Sequence, residues 1–200
     1  MQLIVATRNA HKTREIQRIL GPAFTVSDLS AHPAIPDIHE TGKSYEENAI
    51  LKAVGASKHL SALAVADDSG LEVDTLGGAP GIFSARYAGE NATDKQNIDK
   101  LLGELARTGT GETKRSACFR CVIALARQGE LLGTFEGIVE GTIVERVRGS
   151  YGFGYDPIFV PHGFEETFAE LPAEVKNTIS HRAKALRGLT TKLAALKTGD

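Results

Sequence analysis

Two adjacent carboxylates, Asp67 and Asp68, and a third at Glu40 are the side chains best suited to metal and proton chemistry in this 200-residue chain. Carboxylate oxygens are hard ligands, and Mg²⁺ takes one or two of them while completing its shell with substrate phosphates and water. Neighbouring residues in an extended chain point to opposite faces, so Asp67 and Asp68 are expected to do different work. Ser69-Gly70 follows directly, offering a hydroxyl and backbone N–H groups as donors. A cationic turn stands near the N-terminus, where Thr7-Arg8-Asn9-Ala10-His11-Lys12 joins an apolar run to a helical pattern. Free N–H groups and the positive end of the helix dipole favour a phosphate there, and Lys12 adds a point charge. The same turn also suits a plain helix cap by Thr7 or Asn9 with a solvated Lys12. Lys52 shares a helix face with Asn48 and reads either as a phosphate ligand or as a solvated lysine.

Gly42-Lys43-Ser44 imitates the end of a P-loop, but the position five before Gly42 is Asp37 rather than glycine, and no strand leads into it. Gly149-Ser-Tyr-Gly-Phe-Gly-Tyr-Asp-Pro157 sets three glycines among three aromatics, a poor core segment but a loop suited to laying a ring against a flat ligand. Phe153, between Gly152 and Gly154, can present an open ring face, and Asp156 can accept hydrogen bonds from a base edge. Aromatics packing a glycine-rich turn would look the same. Ser180-His181-Arg182 opens the last helical pattern, where donors to a carbonyl or phosphate gather at the positive helix end, and Lys176 lies five residues before His181. Cys118 and Cys121 form a lone C-x-x-C with no second pair or spaced histidine for zinc. The pair reads as mid-strand, away from the helix N-terminus that activates a thiol, so two inert reduced thiols are expected.

The elements that must position these groups alternate in type. Leu3–Ala6 reads as a buried strand, followed by a helix whose Ile16, Ile19 and Leu20 share a face before Gly21-Pro22 stops it. Pro33 and Pro36 mark an irregular segment, and Ser44-Tyr-Glu-Glu47 is a capping box for a helix to about Leu60 with Ala49, Ala53 and Ala56 small enough to pack on a sheet. Leu63–Ala66 reads as a second buried strand ending in an acidic turn, Asp67-Asp68-Ser69-Gly70, after which Leu71–Val73 resumes as strand. Thr93-Asp-Lys-Gln96 is another capping box, for a helix to about Leu105. Ala117–Ala126 and Leu131–Val139 read as an antiparallel pair joined near Gln128-Gly129. Pro157–Val160 is a further short strand, and Ser180 is expected to cap a last helix with Ala183, Leu186, Leu189, Leu193 and Leu196 on one stripe. The class is α/β with a mixed sheet.

Composition bounds the function. With 23 basic against 25 acidic side chains, a net charge of −2 and 42% hydrophobic residues, the chain is an ordinary folded protein and not a disordered segment. The near-neutral balance argues against a protein that works by gripping nucleic acid through its phosphates. No run reaches the ~18 apolar residues of a membrane span, and the first is too short for a secretory signal. A cytoplasmic protein with no membrane and no nucleic-acid partner is expected. No repeat or long linker divides the chain, so residues 1–200 are expected to form one domain.

Taken in order, Thr7-x-Asn9-x-x-Lys12, Glu40-Thr-Gly42, Asn48-Ala-Ile-Leu-Lys52, Asp67-Asp-Ser-Gly-Leu71, Gly78-Ala-Pro-Gly81, Ser84-Ala-Arg-Tyr87, Phe153-Gly-Tyr-Asp-Pro157 and Ser180-His-Arg182 resemble the inosine triphosphate pyrophosphatase family, the XTP/dITP diphosphatases. Each motif is weak alone, but the set in register is specific and spans nearly the whole chain. Tyr155 falls where some relatives have Trp. The resemblance implies an elongated α/β fold with a central mixed sheet flanked by helices, two lobes with a substrate cleft between them, and a homodimer. It further implies Mg²⁺-dependent hydrolysis of ITP, dITP and XTP, small-molecule substrates, to monophosphate and pyrophosphate. It would place Thr7, Asn9, Lys12, Ser69 and Lys52 on the triphosphate, with Arg8, Ala10 and His11 of the same turn also binding substrate. Glu40 and Asp68 would hold the metal, with Asp68 also the proton acceptor, and Phe153, Gly154, Tyr155, Asp156, Lys176, His181 and Arg182 would hold the purine.

That chemistry is coherent: water attacking the α-phosphorus needs a proton acceptor and cancellation of charge on the departing pyrophosphate. One carboxylate cannot straightforwardly be both metal ligand and base, so Asp67 is expected to share the acceptor role with Asp68. Donors such as His181 and Arg182 facing O6 would reject adenine, whose amino group leaves them unpaired. A nucleotide- or RNA-binding module without catalysis, and a pyrophosphatase of modified pyrimidine triphosphates, are the competing readings.

Overall fold

The computed structural model describes residues 1–109 and 115–198, with side chains to residue 196. The chain runs β1 (Gln2–Val5), α1 (Ala10–Leu20), β2 (Thr25–Asp28), α2 (Tyr45–Ser57), β3 (Leu63–Val73), α3 (Asp94–Arg107), β4 (Ser116–Arg127), β5 (Glu130–Ile143), β6 (Phe159–Pro161), α4 (Ala173–Ile179) and α5 (His181–Thr198). The strands form one mixed sheet in the order β2-β1-β3-β4-β5-β6. β1 pairs parallel with both β2 and β3, setting Val5 beside Asp28 and Val65, while β5 and β6 are antiparallel. Among the described residues no helix is long and apolar enough to cross a membrane.

Local chemistry explains the element ends. Asn9 Oδ1 accepts from the N–H groups of His11 at 2.9 Å and Lys12 at 3.3 Å, capping α1, and Gly21 ends the helix at φ 70°. Thr93 and Gln96 make a complete capping box on α3. The box expected at α2 is half made: Ser44 Oγ accepts from Glu47 N–H at 3.1 Å, but the Glu47 carboxylate turns to Lys43 N–H at 2.6 Å. That helix ends at Ser57 rather than Leu60. Gln128 and Gly129, at φ 53° and 86°, make the two-residue turn between β4 and β5 that right-twisted strands favour.

Two expectations need correction. β3 is unbroken from Leu63 to Val73, so the acidic turn does not exist and both aspartates lie mid-strand. Both carboxylates are buried there with cationic partners, which lifts the pressure to turn them out to solvent. The short strand expected from Pro157 begins at Phe159, because Asp156–Ile158 forms a 3-10 turn with proline in its first positions. Helix α4 was not anticipated; Ser180, extended at φ −63° and ψ 160°, separates it from α5.

The chain divides into two compact units, Met1–Asp68 with Cys121–Gly137 and His181–Asp200, and Ser69–Arg120 with Ile138–Ser180. The first has a core of Leu3, Val5, Ile16, Val65, Ile123, Leu125, Leu186, Leu189 and Leu193. Gly137 lets α5 approach β5 there: a Cβ at this position would fall 2.1 Å from His181 O and 2.5 Å from Ala185 N. The second unit packs Leu71, Leu101 and Ile158 around Phe119, Phe159 and Phe168, with ring centroids 4.7 Å apart for Phe119–Phe159 and 5.3 Å for Phe159–Phe168.

Candidate functional site

In the first unit, α1, α2 and β3 bring their charged residues to one place. Lys52, from α2, points its ammonium at three oxygens: Glu40 Oε1 at 2.6 Å, Asp68 Oδ1 at 2.9 Å and the Asp67 carbonyl at 3.0 Å. Two carboxylates from separate segments thus converge on one cationic point, and Lys52 is neither solvated nor loose. Asn48, one turn before Lys52, is fixed by Gly42 N–H donating to its Oδ1 at 2.8 Å, which leaves its Nδ2 facing Asp68 Oδ2 at 3.3 Å. Gly42 has no room for a side chain, since a Cβ would lie 2.7 Å from Asn48 Oδ1. The segment carrying Glu40 is therefore tied to the residue beside Asp68.

Asp67, on the other face of β3, has a different set of partners. Lys12 Nζ lies 2.5 Å from its Oδ1, and Arg182 Nε donates to its Oδ2 at 2.8 Å. The buried Cys121 thiol is 3.1 Å from the same oxygen, and a second arm of Arg182 reaches Glu15 of α1. Burial alone would raise the Asp67 carboxyl, but the Arg182 and Lys12 charges outweigh it and hold the group well below the usual range. Asp68 goes the other way: burial pushes its carboxyl up, more than Lys52 pulls it down. The alternation of strand faces separates an anchored carboxylate from a basic one.

The remaining residues of the cationic turn sort by partner. Thr7 Oγ1 accepts from Asn9 N–H at 3.1 Å, and Ala10 and His11 are exposed at the start of α1. Arg8 points away from the cluster, to Asp37 Oδ1 at 2.9 Å and the carbonyls of Leu29 and Ile35, so it braces the irregular segment after β2. Ser69 is half-buried next on β3.

In the second unit, Phe153 is half-buried and its N–H donates to Asp156 Oδ2 at 2.9 Å; the same oxygen takes Lys176 Nζ at 2.5 Å. Lys176 in turn lies 5.2 Å from the Phe153 ring centroid. Gly154 N–H is held by Asp94 at 2.7 Å. A Cβ on Gly152, at φ 77°, would strike Asp156 Oδ2 at 2.0 Å, which explains the glycine before the aromatic. Asp156 is buried and shapes the loop from within, and Tyr155 packs in the core with its hydroxyl donating to Ser84 O at 2.9 Å.

Arg182, expected at the purine, is 1% exposed, with its guanidinium bound to Asp67 and Glu15 in the first unit. His181, also buried, opens α5 with its carbonyl against Gly137. Sequence reasoning missed Glu15, Asn48 as a link and Asp67 as an anchor. The only available signal was spacing, since Glu15 lies one helical turn from Lys12. Cys118 is a free thiol pushed up to about 11, by burial first and then by the Glu72 carboxylate, and Cys121 is also raised well above its ordinary value, by burial first and then by Asp67. Their positions three apart on β4 put them on opposite faces, which suits neither a redox pair nor a metal site.

The donor set suits Mg²⁺: two carboxylates of separate segments already share one cation, and such a site leaves the remaining positions to phosphate oxygens and water. Among the described residues no group of three or more His, Cys, Asp or Glu side chains could hold a metal unaided.

Comparison with known proteins places these residues in context. The model of the Ham1 family matches residues 3–192. The dITP/XTP pyrophosphatase of Bacillus subtilis (strain 168) is 48% identical over 195 residues, covering 97% of this chain and 98% of that protein. That of Geobacter sulfurreducens is 50% identical over 186 residues, covering 92% of each. Among solved structures, a Ham1 protein from Coxiella burnetii superposes with a TM-score of 0.86 at 42% identity, covering 98% of this chain and 99% of that one. The Staphylococcus aureus Ham1 protein gives 0.83 at the same identity and the same coverage.

Proposed function

Because this chain belongs to the Ham1 family, we propose that it is a Mg²⁺-dependent nucleoside triphosphate pyrophosphohydrolase that converts ITP, dITP and XTP to the monophosphate and pyrophosphate and so clears non-standard purines from the nucleotide pool. The observation that carries the assignment of the chemistry is the convergence of Glu40 and Asp68 on one cationic point, with Lys12 and the start of α1 on the neighbouring Asp67. Glu40 and Asp68 hold the metal, whose chemistry is neutralisation of charge on the phosphate oxygens. Thr7, Asn9, Lys12, Lys52, Ser69 and the N–H groups of Ala10 and His11 bind the triphosphate.

Asp68 takes the proton of the attacking water as its oxygen bonds to the α-phosphorus and the bond to the pyrophosphate oxygen breaks. What supports Asp68 over Asp67 is that a base needs affinity for a proton, and Asp67 is tied to two cations, Lys12 and Arg182, that lower it. Asp67 instead positions Lys12. In the second unit Phe153 stacks on the purine, and Lys176 donates to a 6-keto oxygen, an arrangement that would leave a donor facing the amino group of adenine.

The decisive experiment is pyrophosphate release across a panel of ITP, dITP, XTP, ATP, GTP and modified pyrimidine triphosphates, with Mg²⁺ and with EDTA. Turnover of the three inosine and xanthosine substrates that stops on chelation is expected. No release from any of them would overturn the proposal. The family likeness further implies a homodimer, and the two free thiols suit the reducing cytoplasm.

A further inference from the structure

The second unit holds a cavity of about 500 Å³ that the proposed reaction does not use, lined by Arg115, Thr142, Ile143, Val144, Glu145, Arg146 and Arg148. Its size falls in the range of small-molecule sites. Arg115 is 9% exposed, and among the described residues its guanidinium meets only neutral groups: Nε donates to Ile143 O at 2.8 Å and Nη2 to Val144 O at 3.3 Å. Carbonyls satisfy N–H groups without neutralising the charge, and a buried cation lacking an opposite charge is costly to maintain. Arg146, exposed at the rim, makes no ion pair with any described residue. Arg148 is the member already compensated, with Glu170 Oε2 3.2 Å from its Nε and Glu165 O accepting from its Nη2. Glu145 lines the cavity but pairs with neither Arg115 nor Arg146.

We infer that this cavity is an anion site, separate in its residues from the catalytic cluster, that takes a phosphate-bearing small molecule between Arg115 and Arg146. Guanidinium groups present parallel N–H donors that match two phosphate oxygens at once, and Ile143 and Val144 line the wall beside them. A phosphate there would supply the counter-charge that no described residue gives Arg115.

The test is an NMR titration of the full chain, labelled at arginine side chains and backbone amides, with orthophosphate in EDTA and with citrate as a carboxylate control. Saturable shifts at Arg115 Nε–H and at the amides of 142–148 are expected with orthophosphate and weaker ones with citrate. Arg146→Gln should weaken that binding about tenfold or more, as loss of a charge-assisted pair predicts. Arg146 is exposed, so this variant tests the site even where Arg115→Gln does not fold. Hydrolysis of ITP by Arg146→Gln should stay at the level of the parent chain, so the two proposals fail separately. Shifts that never saturate, shifts confined to Lys12, Lys52 and α1, or saturation by citrate alone would each overturn the inference.

Discussion

At the scale of single residues, the important distinction lies between two identical side chains one position apart. Asp67 and Asp68 share a strand, yet Arg182 and Lys12 hold one as a fixed anion while burial makes the other a better proton acceptor. Asp68→Asn should lower kcat by about 10²–10⁴ while nucleotide still binds, read by pyrophosphate release and by calorimetry. Asp67→Asn should act differently, leaving Arg182 and Lys12 without their shared anion inside the fold. Removing one partner of a buried pair costs about 3–5 kcal/mol, so denaturant unfolding should show a large loss of stability. The pH dependence follows from the same carboxylate. Its folded-state value lies below its unfolded value, so its stabilisation is complete above the unfolded value of about 3.9 and is lost as pH falls through the folded one. Unfolding midpoints measured from about pH 5 to about pH 2 should fall more steeply for the parent chain than for Asp67→Asn.

At the scale of elements, glycines in similar-looking positions have opposite meanings. Gly137 is where the first turn of α5 meets β5, and a methyl group there would collide with backbone atoms of His181 and Ala185. Gly137→Ala should destabilise by about 1–3 kcal/mol, since overpacking forces the helix away, and thermal unfolding would register about 2–4 °C per kcal/mol. Gly103, exposed inside α3 with open space around it, should show the reverse. There Gly103→Ala should stabilise by about 0.5–1 kcal/mol through helix propensity alone. The displaced helix would carry Arg182 with it, so Gly137→Ala should also lower activity, whereas Gly103→Ala should leave it unchanged.

At the scale of the whole molecule, each unit has its own apolar core, and the charged residues of the proposed phosphate end all belong to the first. Chelation should therefore abolish hydrolysis without unfolding the chain, since leucine and aromatic packing, not the metal, holds it together. Activity restored by added Mg²⁺, with an unchanged circular dichroism spectrum throughout, is the expected outcome. Light scattering should give twice the 21.3 kDa of the chain if the assembly is the homodimer that the family likeness implies.

The sequence alone determined what depends on local chemistry. Asn9, Thr93 and the Gln128-Gly129 pair announced their caps and turn, because a side chain reaching a backbone N–H three residues away, or a left-handed φ, needs no distant partner. Spacing also separated the two aspartates by face. What Asp67 does, where Arg182 points and why Asp156 is buried depended on partners 115 and 20 residues away, and no local pattern encodes them. The acidic run looked like a turn because isolated carboxylates seek water; only the tertiary structure, by bringing Lys12, Lys52 and Arg182 to β3, made it possible to bury them.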